Sequence, residues 1–472
     1  MDLEKLNINQ LSKLHIHFIG IGGAGMSGIA RIMLAKSIEV SGSDKNQSQI
    51  TIALKALGAQ IYIGHDAKNI QGADLVVVSA AIPKSNPEYA AAIAAGVPIA
   101  ARATALSWLL SESKAVAVAG THGKTTTTAM LTVALQAAGI DPSFAIGGTI
   151  NSAGTNAHSG SGEVFVVEAD ESDGSFLAYQ PLGAIITNIE LDHVDHFTSE
   201  DQLFATFADF VKSIKAGGFL VACGDDLGVK RLIEMVAGLD IKIITYGQGP
   251  DNDYQISRIN LNPSGSTAQV TIKGRKIGVL SLAVPGLHNL LNALAAFAAG
   301  CALSVNEQRL IQGLSSFTGT KRRFELKGEI NGIKLIEDYG HHPTEIEVTL
   351  TTARNFVGTG RVLTIFQPHR YSRTTAFAKE FAQSLALSDF VYLLEIYAAS
   401  EKPMDGISSL LISKLMPPEK VKFEPSMLQV VTDVTSDAKP GDLVLILGAG
   451  DVSSLCAPIL DALAAKSANL EP

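Results

Sequence analysis

Three cysteines, Cys223, Cys301 and Cys456, lie far apart and form no CxxC pair. That spacing argues against a disulfide framework or a cysteine zinc site and fits reduced thiols in a cytoplasmic protein. Basic residues are outnumbered, leaving a formal net charge of −9. A general nucleic-acid surface needs a basic face, so none is expected. No apolar run is long enough to span a bilayer: the most apolar stretch, residues 293–303, follows Asn289 and Asn292 and reads as a buried helix. Residues 1–10 lack the basic head and apolar stretch of a signal peptide, so neither export nor membrane insertion is expected. Aromatic residues are sparse, 6% against 46% hydrophobic residues. The cores must therefore be built from Ala, Val, Ile and Leu, as in α/β proteins.

At 472 residues the chain exceeds what one core organises, and roughly 100 to 200 residues per domain suggests about three domains. Residues 15–19 read as a strand, 20–28 as a glycine-rich turn and 26–35 as a helix. A second strand ends near Val40, and residues 74–79 are a continuous apolar run of the kind buried in a parallel sheet. A new strand begins at residues 115–119, and strands recur at 164–167 and 184–189, each followed by acidic residues. Residues 287–303 read as a helix and 315–320 as a linker. Strands at 333–336, 362–366, 391–394 and 443–447 form a last segment. The expected architecture is α/β in three domains, residues 1–112, 113–319 and 320–472. No short repeat indicates a solenoid or propeller.

The run Gly20-Ile21-Gly22-Gly23-Ala24-Gly25 matches G-x-G-x-x-G between a strand and a helix, where backbone N–H groups and the helix dipole face a diphosphate. Asp44, 22 residues after Gly22, is placed to accept from ribose hydroxyls. The blander reading is a tight turn. A second loop, Gly120-Thr121-His122-Gly123-Lys124-Thr125, is shorter than the strict P-loop because Val118 stands at its first glycine. Its chemistry is complete: amides around Gly123 cradle phosphates, Lys124 offsets their charge, and Thr125 or Thr126 reaches magnesium.

Glu168, Asp170, Glu171 and Asp173 follow a strand, where hard magnesium prefers oxygen ligands, and Glu168 is the first choice. Asp192-His193-Val194-Asp195-His196 is either a second such cluster or a solvated loop. His288, Asn289 and Asn292 fall within one helical turn and read either a base edge or a helix cap. Two further loops follow strands, Glu337 to Pro343 and Gln367 to Arg373, where parallel sheets bind ligands. Arg370 and Arg373 are suited to clamp a carboxylate.

Eight ordered motifs together resemble the Mur ligases of bacterial peptidoglycan synthesis: GIGGAGMSGIA from Gly20, GTHGKTTT from Gly120, EADESD from Glu168, DHVDH from Asp192, HNLLNALAA from His288, KRRFE from Lys321, DYGHHPTE from Asp338 and FQPHRYSRT from Phe366. The resemblance is strongest to the branch that adds L-alanine to UDP-N-acetylmuramate. It implies a Rossmann-like N-terminal domain for the UDP-sugar, a central P-loop ATPase-type parallel sheet, and a Rossmann-like C-terminal domain for the amino acid. The implied reaction consumes ATP with Mg2+ and passes through an acyl phosphate of the lactyl carboxylate.

By position, Gly22, Gly23, Ala24, Gly25, Met26, Ser27, Asp44, Ser79 and His122 would hold the UDP-sugar. Gly120, Thr121, His122, Gly123, Lys124, Thr125, Thr126, His288, Asn289, Asn292 and Arg323 would hold ATP. Thr125, Glu168 and His193 would serve the metal, and Tyr339, His341, His342, Arg370 and Arg373 the amino acid. Lys124, His193, Arg323, Asp338 and His341 would carry catalysis, in a monomer or homodimer. Two departures stand out: Glu337 replaces a frequent Asp, and residues 194–211 contain no lysine, so the carbamylated lysine of several sibling ligases is not expected.

Three rival readings remain. A ligase recycling a whole tripeptide onto the same UDP-sugar would share most motifs. An NAD-dependent oxidoreductase would explain the first glycine motif but neither GTHGKT nor EADESD. A non-catalytic nucleotide binder would not need Lys124.

Overall fold

A computed structural model describes all residues except 1, 2, 4, 5, 80, 173, 193, 195, 198 and 469–472. The first unit is a five-stranded parallel sheet in the order β3-β2-β1-β4-β5, built from β1 (His15–Ile19), β2 (Glu39–Asp44), β3 (Gln60–Ile63), β4 (Leu75–Val78) and β5 (Ile99–Ala101). The chain leaves β1 toward β2 on one side while β4 lies on the other, so the glycine turn opens at the switch point where such sheets bind ligands. The helix Ala24–Ala35 starts two residues earlier than its apolar spacing suggests, with Gly23 as its N-cap. The second strand runs on to Asp44, past the expected end near Val40. Its Ser41-Gly42-Ser43 segment looks turn-like, yet both hydroxyls are buried and partnered, Ser41 by His15 and His17, Ser43 by Glu88.

The middle unit holds β6 (Lys114–Ala119), β7 (Ser143–Ile150), β8 (Thr155–His158), β9 (Val164–Glu168), β10 (Gly183–Ile186), β11 (Gly218–Cys223), β12 (Ile241–Gly247), β13 (Tyr254–Asn262), β14 (Gly265–Ile272) and β15 (Arg275–Leu282). They form one ten-stranded sheet, β15-β14-β13-β12-β11-β10-β6-β9-β7-β8, with parallel pairing from β7 through β13 and antiparallel strands at both edges. β10 stops at Ile186, three residues before its expected end. From there the Thr187 hydroxyl donates to His122 O at 2.5 Å, and Asn188 O accepts from Thr121 N at 3.0 Å, so the segment braces the phosphate loop. The helix Leu287–Ala302 is buried along almost its whole length, as its apolar composition requires. Among the described residues no helix is long and apolar enough to cross a membrane.

The third unit orders β16 (Glu325–Ile330), β17 (Ile333–Asp338), β18 (Val362–Phe366), β19 (Phe390–Leu393), β20 (Val421–Phe423) and β21 (Leu443–Leu447) as β16-β17-β21-β18-β19-β20. Only the β16–β17 hairpin is antiparallel. One apolar core runs without a break from the first sheet into the middle one, whereas the third sheet has a separate core on each face. Among the described residues no single apolar core joins the third unit to the middle one. Lys321 N donates to Thr149 O at 3.0 Å, and Thr320 bridges to Ile150. The three cysteines are unpaired.

Candidate active site

β6 is fully apolar past Lys114 and delivers the phosphate loop at its carboxyl end. Gly120 and Gly123 take φ values of 126° and 82°, left-handed conformations that favour glycine. A Cβ on Gly120 would stand 2.1 Å from the Thr187 hydroxyl, so this turn closes only around a hydrogen. The helix Lys124–Ala137 then begins on Gly123 with no side-chain cap, which leaves its first-turn N–H groups and dipole for an anion. Lys124 Nζ donates to Gly120 O, Thr121 O and Glu171 Oε1 at 2.7, 3.1 and 2.9 Å. Burial opposes the Lys124 charge, but Glu171 and Asp170 hold its pKa above the ordinary lysine value. Burial pushes the Glu171 carboxyl up to about 7 against the pull of Lys124.

The Thr125 hydroxyl donates to Glu168 Oε1 at 2.8 Å, and Gly147 N donates to Oε2 at 2.6 Å. A hydroxyl and a carboxylate side by side at the end of β9 are the hard oxygen donors that suit Mg2+. His193, expected as a further metal residue, lies outside the described residues.

Three adjoining cavities meet around this loop. The first, of about 240 Å³, is walled by His288, Asn289, Asn292, Phe317, Arg323, Phe324 and Asp338, with Gly123 and Thr126 at its floor. Apolar rings, amides and one guanidinium suit a heteroaromatic base. Burial and the nearby Arg323 lower His288 to about 4, so its ring is neutral at pH 7. The Asn289 amide donates to Pro285 O at 2.7 Å, so this residue braces the turn before its helix while also lining the cavity. Asp338 accepts from Phe324 N and Gly340 N at 2.8 and 2.7 Å, and burial raises its pKa.

The second cavity, about 490 Å³, sets Lys124, Thr125, Glu168 and Asp170 opposite Arg323, Tyr339, His341, His369, Arg370 and Arg373. Burial lowers His341 to about 3 and His369 to about 4, so both rings are neutral at pH 7. Arg373 is itself buried and donates twice to Asp192 Oδ1, at 3.0 and 2.8 Å. The carboxylate it clamps here belongs to the chain. His342 lines neither cavity; its ring caps the helix Pro343–Val357.

The third cavity, about 320 Å³, runs from Gly23, Ala24, Gly25, Met26 and Ser79 across to Gly147, Glu168 and Asp170. Ser27 is not on its wall and donates to Ala24 O at 3.0 Å inside the helix. Asp44 accepts from Gly22 N at 2.9 Å and so locks the turn.

Neighbouring cavities share walls. The first two have His122, Gly123, Arg323 and Glu345 in common; the second and third share Ala24, Gly147, Glu168 and Asp170. The His288 cavity, the phosphate loop, the Thr125–Glu168 pair and the glycine turn are thus connected in that order.

Sequence reasoning gave no role to three residues that the fold brings here. Glu345 Oε2 accepts from His341 N and His342 N at 3.0 and 3.3 Å, while Oε1 lies 3.3 Å from His122 Nδ1 and 3.5 Å from Arg323 Nη1. Its position three residues after His342 is a helix-start signature that could have flagged it. Glu190, at the turn beyond β10, pairs with His122. Burial opposes the His122 charge, yet Glu345 and Glu190 hold its pKa up to about 9. Arg102 lines the third cavity with its guanidinium against Gly25, 3.3 Å from where a Cβ there would lie.

Three family models match successive parts of the chain: a Mur ligase family catalytic domain over residues 15–114, a Mur ligase middle domain over 118–300, and a Mur ligase glutamate ligase domain over 322–450. A UDP-N-acetylmuramate–L-alanine ligase from Renibacterium salmoninarum is 46% identical over 459 residues, covering 97% of each chain. The chain belongs to the Mur ligase family. Among solved structures of Mur ligases, it resembles the UDP-N-acetylmuramate-alanine ligase of Thermotoga maritima with a TM-score of 0.81 at 29% identity, over 96% of this chain and 100% of that one. It also resembles a murein peptide ligase from Psychrobacter arcticus, with a TM-score of 0.71 at 28% identity over 96% and 99% of the two chains. The three α/β units are the architecture of this family.

Proposed function

We propose that this Mur ligase joins L-alanine to the lactyl carboxylate of UDP-N-acetylmuramate at the expense of ATP, in the cytoplasm. The observation that carries the reading is the connected series of cavities meeting at Lys124 and Glu168. Similarity to an alanine ligase over 97% of both chains selects the substrate pair. In this reading residues 1–112 hold the UDP-sugar, 113–319 the nucleotide, and 320–472 the amino acid.

ATP and Mg2+, when bound, supply the γ-phosphoryl group and the charge that draws anionic oxygens together. The chain's residues position and neutralise. His288 and Asn292 face the base, the first-turn amides after Gly123 and the Lys124 ammonium face the phosphates, and Thr125 with Glu168 offers the metal two oxygens. Arg323, carrying its charge beside Glu345, adds a second cation on the third-unit side. Arg102 and the turn around Gly25 hold the sugar diphosphate. A carboxylate oxygen takes the phosphoryl group as ADP leaves; the amine nitrogen then bonds to the acyl carbon, and phosphate departs with that oxygen while the amine gives up one proton, which balances as hydrogen phosphate. Charge neutralisation and alignment are the main demands of the first step. His341 and His369 are neutral imidazoles beside the amine's place, and Tyr339, packed between Arg322 and Arg323, shapes that wall.

ADP release measured with UDP-N-acetylmuramate and a panel of L-alanine, glycine, L-serine and tripeptide tests the reading. Magnesium-dependent ADP is expected with L-alanine. ADP with tripeptide but not with alanine would instead identify a recycling ligase, and ADP with none of them would remove the ligase reading.

A further inference from the structure

His122, Glu190 and His342 converge from three separate segments: the phosphate loop, the turn beyond β10, and the residue capping the helix Pro343–Val357. One donor atom from each lies within 4.8 Å of the other two. Glu190 Oε1 faces both rings, in contact with His122 Nε2 and 3.4 Å from His342 Nδ1. The donors are braced from behind. His122 Nδ1 is 3.3 Å from Glu345 Oε1, and Glu190 Oε2 accepts from the Thr344 hydroxyl at 2.9 Å. His342 is 4% exposed, and its Nε2 is buried without a hydrogen-bond partner.

A histidine whose second nitrogen is held by a carboxylate, next to a carboxylate whose second oxygen is hydrogen-bonded, is how proteins orient metal ligands. We propose that His122, Glu190 and His342 hold one borderline divalent ion of the zinc class, separate from the magnesium pair Thr125 and Glu168. The two sites sort by ligand chemistry: oxygen donors alone suit magnesium, whereas two imidazoles and one carboxylate suit zinc. A tetrahedral centre with bonds of about 2.0 to 2.1 Å places its donors about 3.4 Å apart; Glu190 Oε1 and His342 Nδ1 already stand 3.4 Å apart, and His122 has to draw back from Glu190 to admit the ion. His122 and Glu190 also line the base cavity, which leaves the fourth position open to water or a nucleotide atom. Because two ligands come from the middle unit and one from the third, the ion fastens the third unit onto the phosphate loop. The site stands whichever amino acid the enzyme takes.

Zinc chloride titrated calorimetrically into the full chain in excess Mg2+ tests this, using wild type, Glu168→Gln, Glu190→Gln and His342→Gln. One zinc per chain is expected for wild type and Glu168→Gln, with at least tenfold weaker binding to the other two. Melting of each variant without zinc confirms that it is folded. Cobalt(II) bound to the wild-type chain needs no variant: an intense visible band of a tetrahedral, nitrogen-ligated centre is expected. Zinc binding lost only in Glu168→Gln, equal in all four, or absent from wild type would overturn the proposal, as would only the weak absorption of an octahedral cobalt centre.

Discussion

Arg373 of the third unit and Asp192 of the middle unit form a buried ion pair across their junction, with two contacts of 2.8 and 3.0 Å and side chains only 3% and 5% exposed. Both lie on the wall of the cavity assigned to phosphates and amino acid. Breaking a buried pair from one side leaves an uncompensated charge and costs about 3 to 5 kcal/mol. Asp192→Asn should therefore lower the melting temperature and raise the KM for the amino acid. The double change Asp192→Leu with Arg373→Met should restore much of the stability without restoring the KM. Calorimetric melting and steady-state kinetics separate the two effects; equal stability of the single variant and wild type would show that the pair does not bear on docking.

Gly120 makes the sharpest steric demand in the phosphate loop. Gly120→Ala must take a φ of 126° and put a methyl carbon 2.1 Å from the Thr187 hydroxyl. The strain alone is worth roughly 1 to 3 kcal/mol, and the loop can relieve it only by moving the amides that face phosphate. Nucleotide affinity should fall at least about tenfold while the first-unit site keeps its UDP-sugar affinity. Equilibrium titration of each ligand checks this, and unchanged ATP affinity would contradict it.

Arg102 predicts a complementary loss. Its guanidinium lies against the turn at Gly25, and its Nη2 donates to Ser175 at 3.3 Å, so it spans the first and middle units. Arg102→Ala should raise the KM for UDP-N-acetylmuramate about tenfold, as for one charge-assisted hydrogen bond, with little change in the KM for ATP. A larger effect on ATP than on the sugar would place Arg102 elsewhere in the mechanism.

Much of this geometry is legible in the sequence because buried parallel strands are unbroken apolar runs and the loops at their ends carry glycine or acids. The strands from Lys114 to Ala119 and Leu443 to Leu447 are found that way. Residues 254–282 were less legible, because an edge meander alternates buried and exposed positions and its polar face hides the pattern. Pairing across units is not local at all. Arg373 reads as a clamp for a ligand carboxylate until the fold supplies Asp192, 181 positions away. Glu345 has no role in the sequence reading, and only the fold brings His122 and Arg323 beside it. The second strand runs past its expected end near Val40 because the Ser41 and Ser43 hydroxyls find buried partners in His15, His17 and Glu88.

That network gives a pH prediction. Burial pushes the Glu88 carboxyl up, but the His17 ring 3.7 Å away and hydrogen bonds from Ser43 and Asn69 outweigh it and leave the pKa at about 2, against an ordinary 4.5. A depressed carboxyl contributes stability that is complete above the ordinary value and is lost as pH falls through the folded one. Glu88 should therefore stabilise the first unit fully above pH 4.5, by up to about 3 kcal/mol, and lose that contribution between 4.5 and 2. Denaturant unfolding of Glu88→Gln should show a weaker acid dependence in this window; an acid limb identical to that of wild type would contradict the assignment.

The central claim is that the joined cavities activate a carboxylate by phosphorylation and then pass it to an amine. UDP-N-acetylmuramate labelled with ¹⁸O in its lactyl carboxylate, turned over with ATP, Mg2+ and L-alanine, reads this directly by mass spectrometry of the released phosphate. One labelled oxygen per turnover in the phosphate, with a product heavier by one alanine residue, is the predicted result. Amide product with no label in the phosphate would contradict it.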